Sequence, residues 1–386
     1  MSPRTAFAAV AVAALVAALA APGTGAEPQV NLYSEIEASW EAGADALVLT
    51  QRSGGAVVAG EGGIGLRGSF AVERGLVMSG ETETGTALEG ALDLEAALGP
   101  DTVLRGGFAL RHAEERQSLV LPGQLVSAIS PTLELSGTLG LRQRFGLTLL
   151  DVELGQISQR PGASVFPGLP LLPERLRAET DMLRAAFSIE HAVAPALALL
   201  ARLEADRLSV GPIDSLLYGR LPADRLRASA GVAARFPDGL QGELRLGADL
   251  VATPLLEGQR FIRPYGYGTI GMALRQGFSI SLTAQMGTAF EDAADGFADW
   301  RWRVGAEAEM RLTTRLALAA GLYASGGEAV LAAIPLASEL GAEAGFTYAL
   351  APGLLLRTRL GLERQTDIAG IETDTLALAV SLRAEI

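Results

Sequence analysis

The chain has 386 residues and a formal net charge of -13, a balance that argues against nucleic acid as a partner and against a basic patch for a membrane surface. It contains no cysteine, so its framework comes from a closed hydrogen-bonded sheet or a large core and not from disulfides. All 31 of its basic residues are arginine, which stays charged at every working pH and offers planar, bidentate contacts to carboxylates and phosphates.

Met1 to Ala26 opens with Arg4, runs uncharged from Thr5 to Ala21, and closes on small residues ending Thr24-Gly25-Ala26. That order predicts a removable secretory signal over 1–26, with 27–386 as the exported chain. No later uncharged run approaches the roughly 18 to 20 residues of a spanning helix. The best rival, Ala192 to Ala201, is broken by Pro195.

One or two strands are expected in 31–50, and others at 63–73, 75–83, 86–98 and 102–112. Glycines at 60, 62, 63, 65 and 68 weaken the stretch 56–70, because glycine neither packs nor favours strands. The pattern strengthens from there: strands are read at 131–145, 146–158, 176–191, 195–208, 224–236, 239–252, 263–276, 277–290, 299–312, 315–325, 338–350, 353–365 and 373–386. In the segment 299–312, Trp300, Trp302, Val304, Ala306, Ala308, Met310 and Leu312 alternate with Arg301, Arg303, Gly305, Glu307, Glu309 and Arg311. Period two is strand, since successive side chains point to opposite faces.

Tight turns are read at Phe145-Gly146, Ala194-Pro195, Pro237-Asp238-Gly239, Gln276-Gly277, Thr313-Thr314 and Pro352-Gly353. Longer connections fall between them, at 113–131, 159–174, 209–223, 254–263, 291–298, 326–337 and 366–373. Short turns at one end and loops at the other are the asymmetry of membrane β-barrels. Phe145, Phe236, Phe278 and Tyr348 near the turns, with Tyr265, Phe290, Trp300 and Tyr323 near the loops, are expected to form two interfacial belts.

The last strand carries Leu376, Leu378, Val380, Leu382, Ala384 and Ile386 on one face. Together with the exported N terminus, the cysteine-free acidic body and the repeated hairpins, it resembles a Gram-negative outer-membrane porin or porin-like barrel. The resemblance implies an all-β fold: a transmembrane antiparallel β-barrel of about 18 strands, 16 being the alternative, with short periplasmic turns and longer outer loops. It further implies an outer-membrane location, contact with outer-membrane lipid, recognition of the C-terminal strand by the outer-membrane assembly machinery, and a homotrimer as one assembly. Ile386 stands where such proteins usually end in an aromatic residue.

A chain of this kind is expected to be a channel for passive diffusion of small hydrophilic solutes or ions, with no catalytic residue, metal or cofactor. Two other readings are a non-conducting barrel acting through apolar outer loops and a barrel lipase or deacylase. The apolar steps are Pro170-Leu171-Leu172-Pro173, Leu216-Leu217-Tyr218, Pro254-Leu255-Leu256 and 330–335; the lipase reading would need His112 or His191. In porin-like chains the third outer loop often folds inward. Here that loop is 113–131, which makes Arg111, Glu114, Glu115 and Arg116 candidate pore-lining residues.

Alternation assigns Arg227, Arg235, Arg245, Arg301, Arg303, Arg311, Arg357 and Arg359 to the polar face of later strands, and Glu89, Asp93, Glu95, Asp151 and Glu153 to that of earlier ones. Arginines on one wall and carboxylates on the other would set up a transverse field that filters solutes by charge. The acidic group Glu291, Asp292, Asp295 and Asp299 could gather Ca²⁺ oxygens, but it lacks the spacing of a dedicated calcium loop.

Overall fold

The computed structural model describes residues 29–385 apart from 43–45, 62, 80, 122–123, 167–174, 238, 257–258, 275–276, 292 and 368. The expected signal over 1–26, the Leu171-Leu172 step, Asp292 and Ile386 lie outside the described residues. In chain order the strands are β1 (Gln29–Ala42), β2 (Ala46–Glu61), β3 (Ile64–Ser79), β4 (Glu81–Gly99), β5 (Thr102–Leu121), β6 (Gln124–Phe145), β7 (Thr148–Pro161), β8 (Thr180–Ala194) and β9 (Leu197–Val210). A short helix, α1 (Pro212–Tyr218), follows. The rest are β10 (Ala223–Arg235), β11 (Leu240–Ala252), β12 (Arg260–Leu274), β13 (Phe278–Ala289), β14 (Asp299–Arg311), β15 (Leu316–Ala329), β16 (Ser338–Ala351), β17 (Leu354–Thr366) and β18 (Glu372–Glu385).

Each strand pairs antiparallel with its sequence neighbours, and β18 returns to β1 from Tyr33↔Glu385 to Ala42↔Leu376. The sheet is therefore a closed 18-stranded barrel with no free edge. An even count lets the first and last strands meet antiparallel. Closure matters because hydrocarbon has no water to satisfy backbone N–H and C=O groups.

Register converts alternation into two faces. On β14 the even positions from Trp302 to Met310 point outward and the odd positions inward, and the inward set continues around the wall as Gln285↔Arg303↔Ser325↔Glu339. The outward face is a band of bare large apolar side chains, Leu203, Leu244, Val304 and Leu360 among them, each 44–48% exposed. Monomeric soluble proteins rarely expose a continuous apolar surface of that extent; lipid is its natural solvent.

The turn end is as expected: connections at 146–147, 195–196 and 352–353 are tight, while 162–179, 211–222 and 290–298 at the other end are long. Three expectations change. The region 63–83 holds one strand, β3, up to Ser79, not two; the glycine-rich 56–70 is shared between the end of β2 and the start of β3. The expected loop 113–131 is instead a strand extension, because β5 and β6 run 20 and 22 residues and stay paired out to Leu121↔Gln124. Its backbone groups are satisfied within the hairpin, so the chain has no need to turn inward there.

The aromatic belt is the third. Phe145, Phe236, Phe278 and Tyr348 take outward positions at the turn end, but the loop-end members do not form a belt. Tyr265 and Tyr323 fall on inward register positions, Phe290 is buried, and the Trp300 Nε1 donates to the Pro264 carbonyl at 2.8 Å.

An arginine placed at the outward mid-strand position of Leu244 should destabilise the barrel by about 2–4 kcal/mol, as charges do at a bilayer midplane. The same residue at inward Ser281 should cost far less. Urea unfolding of the two variants in lipid vesicles checks this, and equal losses would contradict the assignment of faces.

Candidate pore wall and constriction

Most of the sequence-selected charges share the inward side of the register. Glu89, Asp93, Glu95, Arg111, Asp151 and Glu153 do so on β4, β5 and β7, as do Arg227, Arg235 and Arg245 on β10 and β11. Arg301, Arg303, Arg311, Arg357 and Arg359 join them on β14 and β17. Glu114 is the exception: it stands on the opposite side from Arg111, opposite Thr86, whose hydroxyl donates to it at 2.6 Å. Glu115 and Arg116 have their backbone in β5, opposite Ser130 and Ile129, and their side chains lie outside the described residues.

Many of these charges are paired, within one strand or across one or two strands. Glu89 receives Arg52 at 3.2 Å and Arg111 at 3.4 Å, Asp151 receives Arg105 and Arg142, and Arg245 reaches Glu243 at 2.6 Å. Arg301 turns to Asp299 at 2.7 Å, Arg359 lies 4.0 Å from Glu343, and Arg303 covers the Tyr323 ring at 4.8 Å.

Within the expected division of charge, the lumen carries two local patches of different charge. A cavity of about 540 Å³ against β1 and β11–β18 is lined by Glu35, Glu37, Glu307, Glu309 and Glu343, with only Arg357 and Arg359 as cations. The facing cavity against β5–β9 and β11 holds Arg105, Arg142, Arg202 and Arg245 with Asp151, Glu153 and Glu190. The acid-rich patch lies among later strands whose Arg301, Arg303 and Arg311 also face inward, and the arginine-rich one lies mostly among earlier strands that also bring Asp151, Glu153 and Glu190. Among the described residues, Glu37, Glu307 and Glu309 have no ion pair within 4.0 Å, whereas all four arginines of the facing wall have one.

Nearer the loop end, buried charges interlock in rows fixed by register. Arg184↔Asp206↔Arg225 is one row, and Glu204↔Arg227↔Asp249 the next. Arg184 meets Asp206 at 2.7 Å, Arg225 meets Glu204 at 2.8 Å and also Asp206, and Arg227 grips Asp249 with two bonds of 2.7 and 2.9 Å. Directly opposed unlike charges stabilise a sheet pair, and the planar fork of arginine suits two carboxylate oxygens.

That block holds down a segment of chain. The β12–β13 ladder stops at Gly266↔Met286, while β13 stays with β14 to Ala289↔Asp299. The cause is Pro264, which has no N–H to give to β13 and whose carbonyl is taken by Trp300. Freed from β12, Thr288 leans across to β11, where its N–H and Oγ1 both donate to the Asp249 Oδ2, at 2.7 and 2.5 Å. Gly287 permits the crossing, since a Cβ there would sit 2.8 Å from an Arg227 nitrogen and 3.1 Å from Tyr265. Arg227 in turn lies 4.1 Å above the Tyr265 ring.

Beyond Thr288 the chain 290–298 lies inside the mouth. Phe290, Phe297 and Ala298 are buried with Met182, Leu208, Val251 and Val330, and Leu221 N–H donates to the Gly296 carbonyl at 2.8 Å. Gly296 has φ +72 and backs directly onto the Gly219 carbonyl, so only glycine fits. Asp295 pins the arrangement by accepting Phe297 and Ala298 N–H on one oxygen and Leu331 and Ala332 N–H on the other. Asp299 accepts from Ala294 N–H and Arg301. Two of the carboxylates read as calcium candidates, Asp295 and Asp299, thus serve backbone donors.

Between this segment and β5–β9 remains a cavity of about 850 Å³ that includes Arg111, Glu134, Gln159, Met182, Arg220 and Glu291. The described residues of 287–298, and not an inward fold of 113–131, stand in the mouth.

The apolar loop steps divide. Val330 is buried and Leu331 packs beside it, while Leu216 and Leu255 stand exposed. His112 occupies an outward position opposite Leu88, and His191 at the turn end shares a 2.8 Å hydrogen bond with Thr148. The mouth segment was not legible as a site because its anchors Asp249 and Thr288 lie on non-adjacent strands. The pair Arg227–Asp249 did leave a signal, since both residues sit equidistant from the turn Pro237-Asp238-Gly239.

Replacing Asp249 by Ala strands the buried Arg227 and two Thr288 donors, a loss of about 3–5 kcal/mol. Thr288→Val removes one hydroxyl bond and should cost only about 1 kcal/mol. Unfolding of both variants, with limited proteolysis at 290–298, measures whether Asp249 holds the segment; equal, small effects would show that it does not.

No family model matches the chain, and no curated protein matches it. Solved structures do. OccAB4 of Acinetobacter baumannii aligns at TM-score 0.51 and 10% identity over 94% of this chain and 98% of that one. OccK8 (OprE) of Pseudomonas aeruginosa aligns at 0.50 and 11% over 93% and 98%. The FrpB iron transporter of Neisseria meningitidis aligns at 0.53 and 10% over 87% of this chain, which spans 63% of that longer one. At such identities the likeness is one of fold: the chain has a closed 18-stranded antiparallel β-barrel like those of outer-membrane porin structures.

Proposed function

We propose that the protein is an outer-membrane channel for small hydrophilic solutes or ions, with cations favoured over anions. An 18-stranded barrel is wide enough to leave a water-filled passage rather than a packed interior. The observation that carries the preference is the imbalance between the two walls. Arg105, Arg142, Arg202 and Arg245 are neutralised by carboxylates beside them, while Glu37, Glu307 and Glu309 face the lumen without a cation within 4.0 Å among the described residues. Uncompensated charge in a narrow aqueous path concentrates counter-ions of the opposite sign. The segment 287–298 narrows the outer mouth and sets the size limit. No covalent step enters, and the requirement is only a wall that stays folded while solute passes.

Single-channel recording in a planar bilayer with a salt gradient tests both parts. Stable conductance steps and a reversal potential on the cation side are expected. The triple substitution Glu37→Gln, Glu307→Gln and Glu309→Gln should move that potential toward zero with little change in step size. Absence of steps from a folded, heat-modifiable barrel would favour a non-conducting role, and a wild-type potential on the anion side would overturn the filter.

A further inference from the structure

We propose that α1 is an interfacial helix whose apolar side lies in the outer leaflet of the membrane, beside the lipid-facing wall of β9–β12. The proposal rests on the membrane-spanning reading and is independent of conduction.

The polarity of α1 is inverted. Its polar side faces protein: buried Asp214 accepts from Arg175 and from Glu179 N–H at 2.8 Å, and the Tyr218 hydroxyl donates to the Arg175 carbonyl at 2.9 Å. A second bond, from the Arg175 Nε to the Tyr218 hydroxyl at 3.4 Å, opposed by desolvation and aided by Asp214, holds the Arg175 guanidinium above its ordinary pKa. Tyr218 also borders the 850 Å³ cavity. The opposite side presents Ile213, Leu216 and Leu217 at 73%, 85% and 66% exposure. Residues spaced three and four apart share one helical face, so these three form a single apolar ridge. Burying the ridge is favourable, a gain that water forgoes and lipid supplies.

The ridge sits on the connection between two strands that carry the lipid-facing band. α1 joins β9 to β10, whose outward residues Leu203 and Leu226 belong to the apolar band, and outward Ile262 on β12 is 70% exposed. Between band and helix stands an outward ion pair, Arg207–Asp224 at 2.9 Å. Amphipathic helices that lie in the headgroup region combine an apolar ridge with nearby cationic groups in this way.

Lipid fits better than a second copy of the chain. A protein face laid on this quadrant would cover Arg207 and Asp224 and incur their desolvation, whereas a hydrated headgroup layer offers phosphate oxygens that suit a guanidinium. A ridge that leaves Leu216 standing 85% clear also offers no flat patch for self-association.

The absence of cysteine allows a single spin label. Leu216→Cys, outward mid-strand Leu244→Cys and loop-tip Ile371→Cys are labelled and inserted into phosphatidylcholine–phosphatidylglycerol vesicles. Collision with oxygen and with a water-soluble nickel chelate is then measured. The oxygen-to-nickel ratio at 216 should resemble that at 244 and exceed that at 371 several-fold. A ratio at 216 like that at 371 would overturn the proposal, as would spin–spin broadening between 216 labels, which would place a second copy on the ridge. Nickel access at 244 would instead mean that the membrane reading itself has failed.

Discussion

Everything in this fold depends on the hydrogen-bonded seam between β1 and β18. A sheet in hydrocarbon cannot leave an edge unpaired, because each orphaned backbone group costs several kcal/mol. With the seam made, every strand has two neighbours, the face of each residue is fixed by parity, and a one-residue slip would turn a whole strand inside out. The seam itself shows this: Trp40↔Leu378, Ala38↔Val380 and Ile36↔Leu382 lie outward, while Glu37↔Ser381 and Glu35↔Arg383 lie inward.

Once parity is fixed, charge inside the barrel becomes a matter of which strands are adjacent. The buried rows on β8–β11 are built from residues that register sets opposite one another, so their desolvation is offset by several short bonds each. Such rows stiffen one quadrant of the wall, and that stiffness is what allows a strand end to be pulled out of the sheet at Pro264 and moored at Asp249. The constriction is therefore a by-product of one missing N–H and one well-held carboxylate. The lower lumen differs, because Glu307 and Glu309 face Gly321 and Ala319 on β15 and find no arginine in register.

The barrel and the inward parity of nearly all the chosen charges were legible because period two runs through most of β6 to β18; the count of about 18 was reached although 63–83 was read as two strands and holds one up to Ser79. It blurred near residues 54–68, where the ladder is kept by backbone alone and the space at Gly54 and Gly55 is filled by Tyr33, Leu32 and Phe70 from adjacent positions. The sequence could not show that β5 and β6 extend past their neighbours, since Glu114-Glu115-Arg116 looks like a solvated loop whether or not it is paired. Nor could it show which wall ends up acidic. That depends on Glu35 and Glu37 at the start of the chain closing against β17 and β18 at its end, a contact made only by the seam.

The most direct test of this arrangement is a cysteine scan along β14. Single cysteines at 302 through 307 in the vesicle-inserted barrel, treated with a charged, membrane-impermeant thiol reagent, should react at 303, 305 and 307 and resist at 302, 304 and 306. Reaction without that alternation, or protection at every position, would contradict a strand with lipid on one side and water on the other.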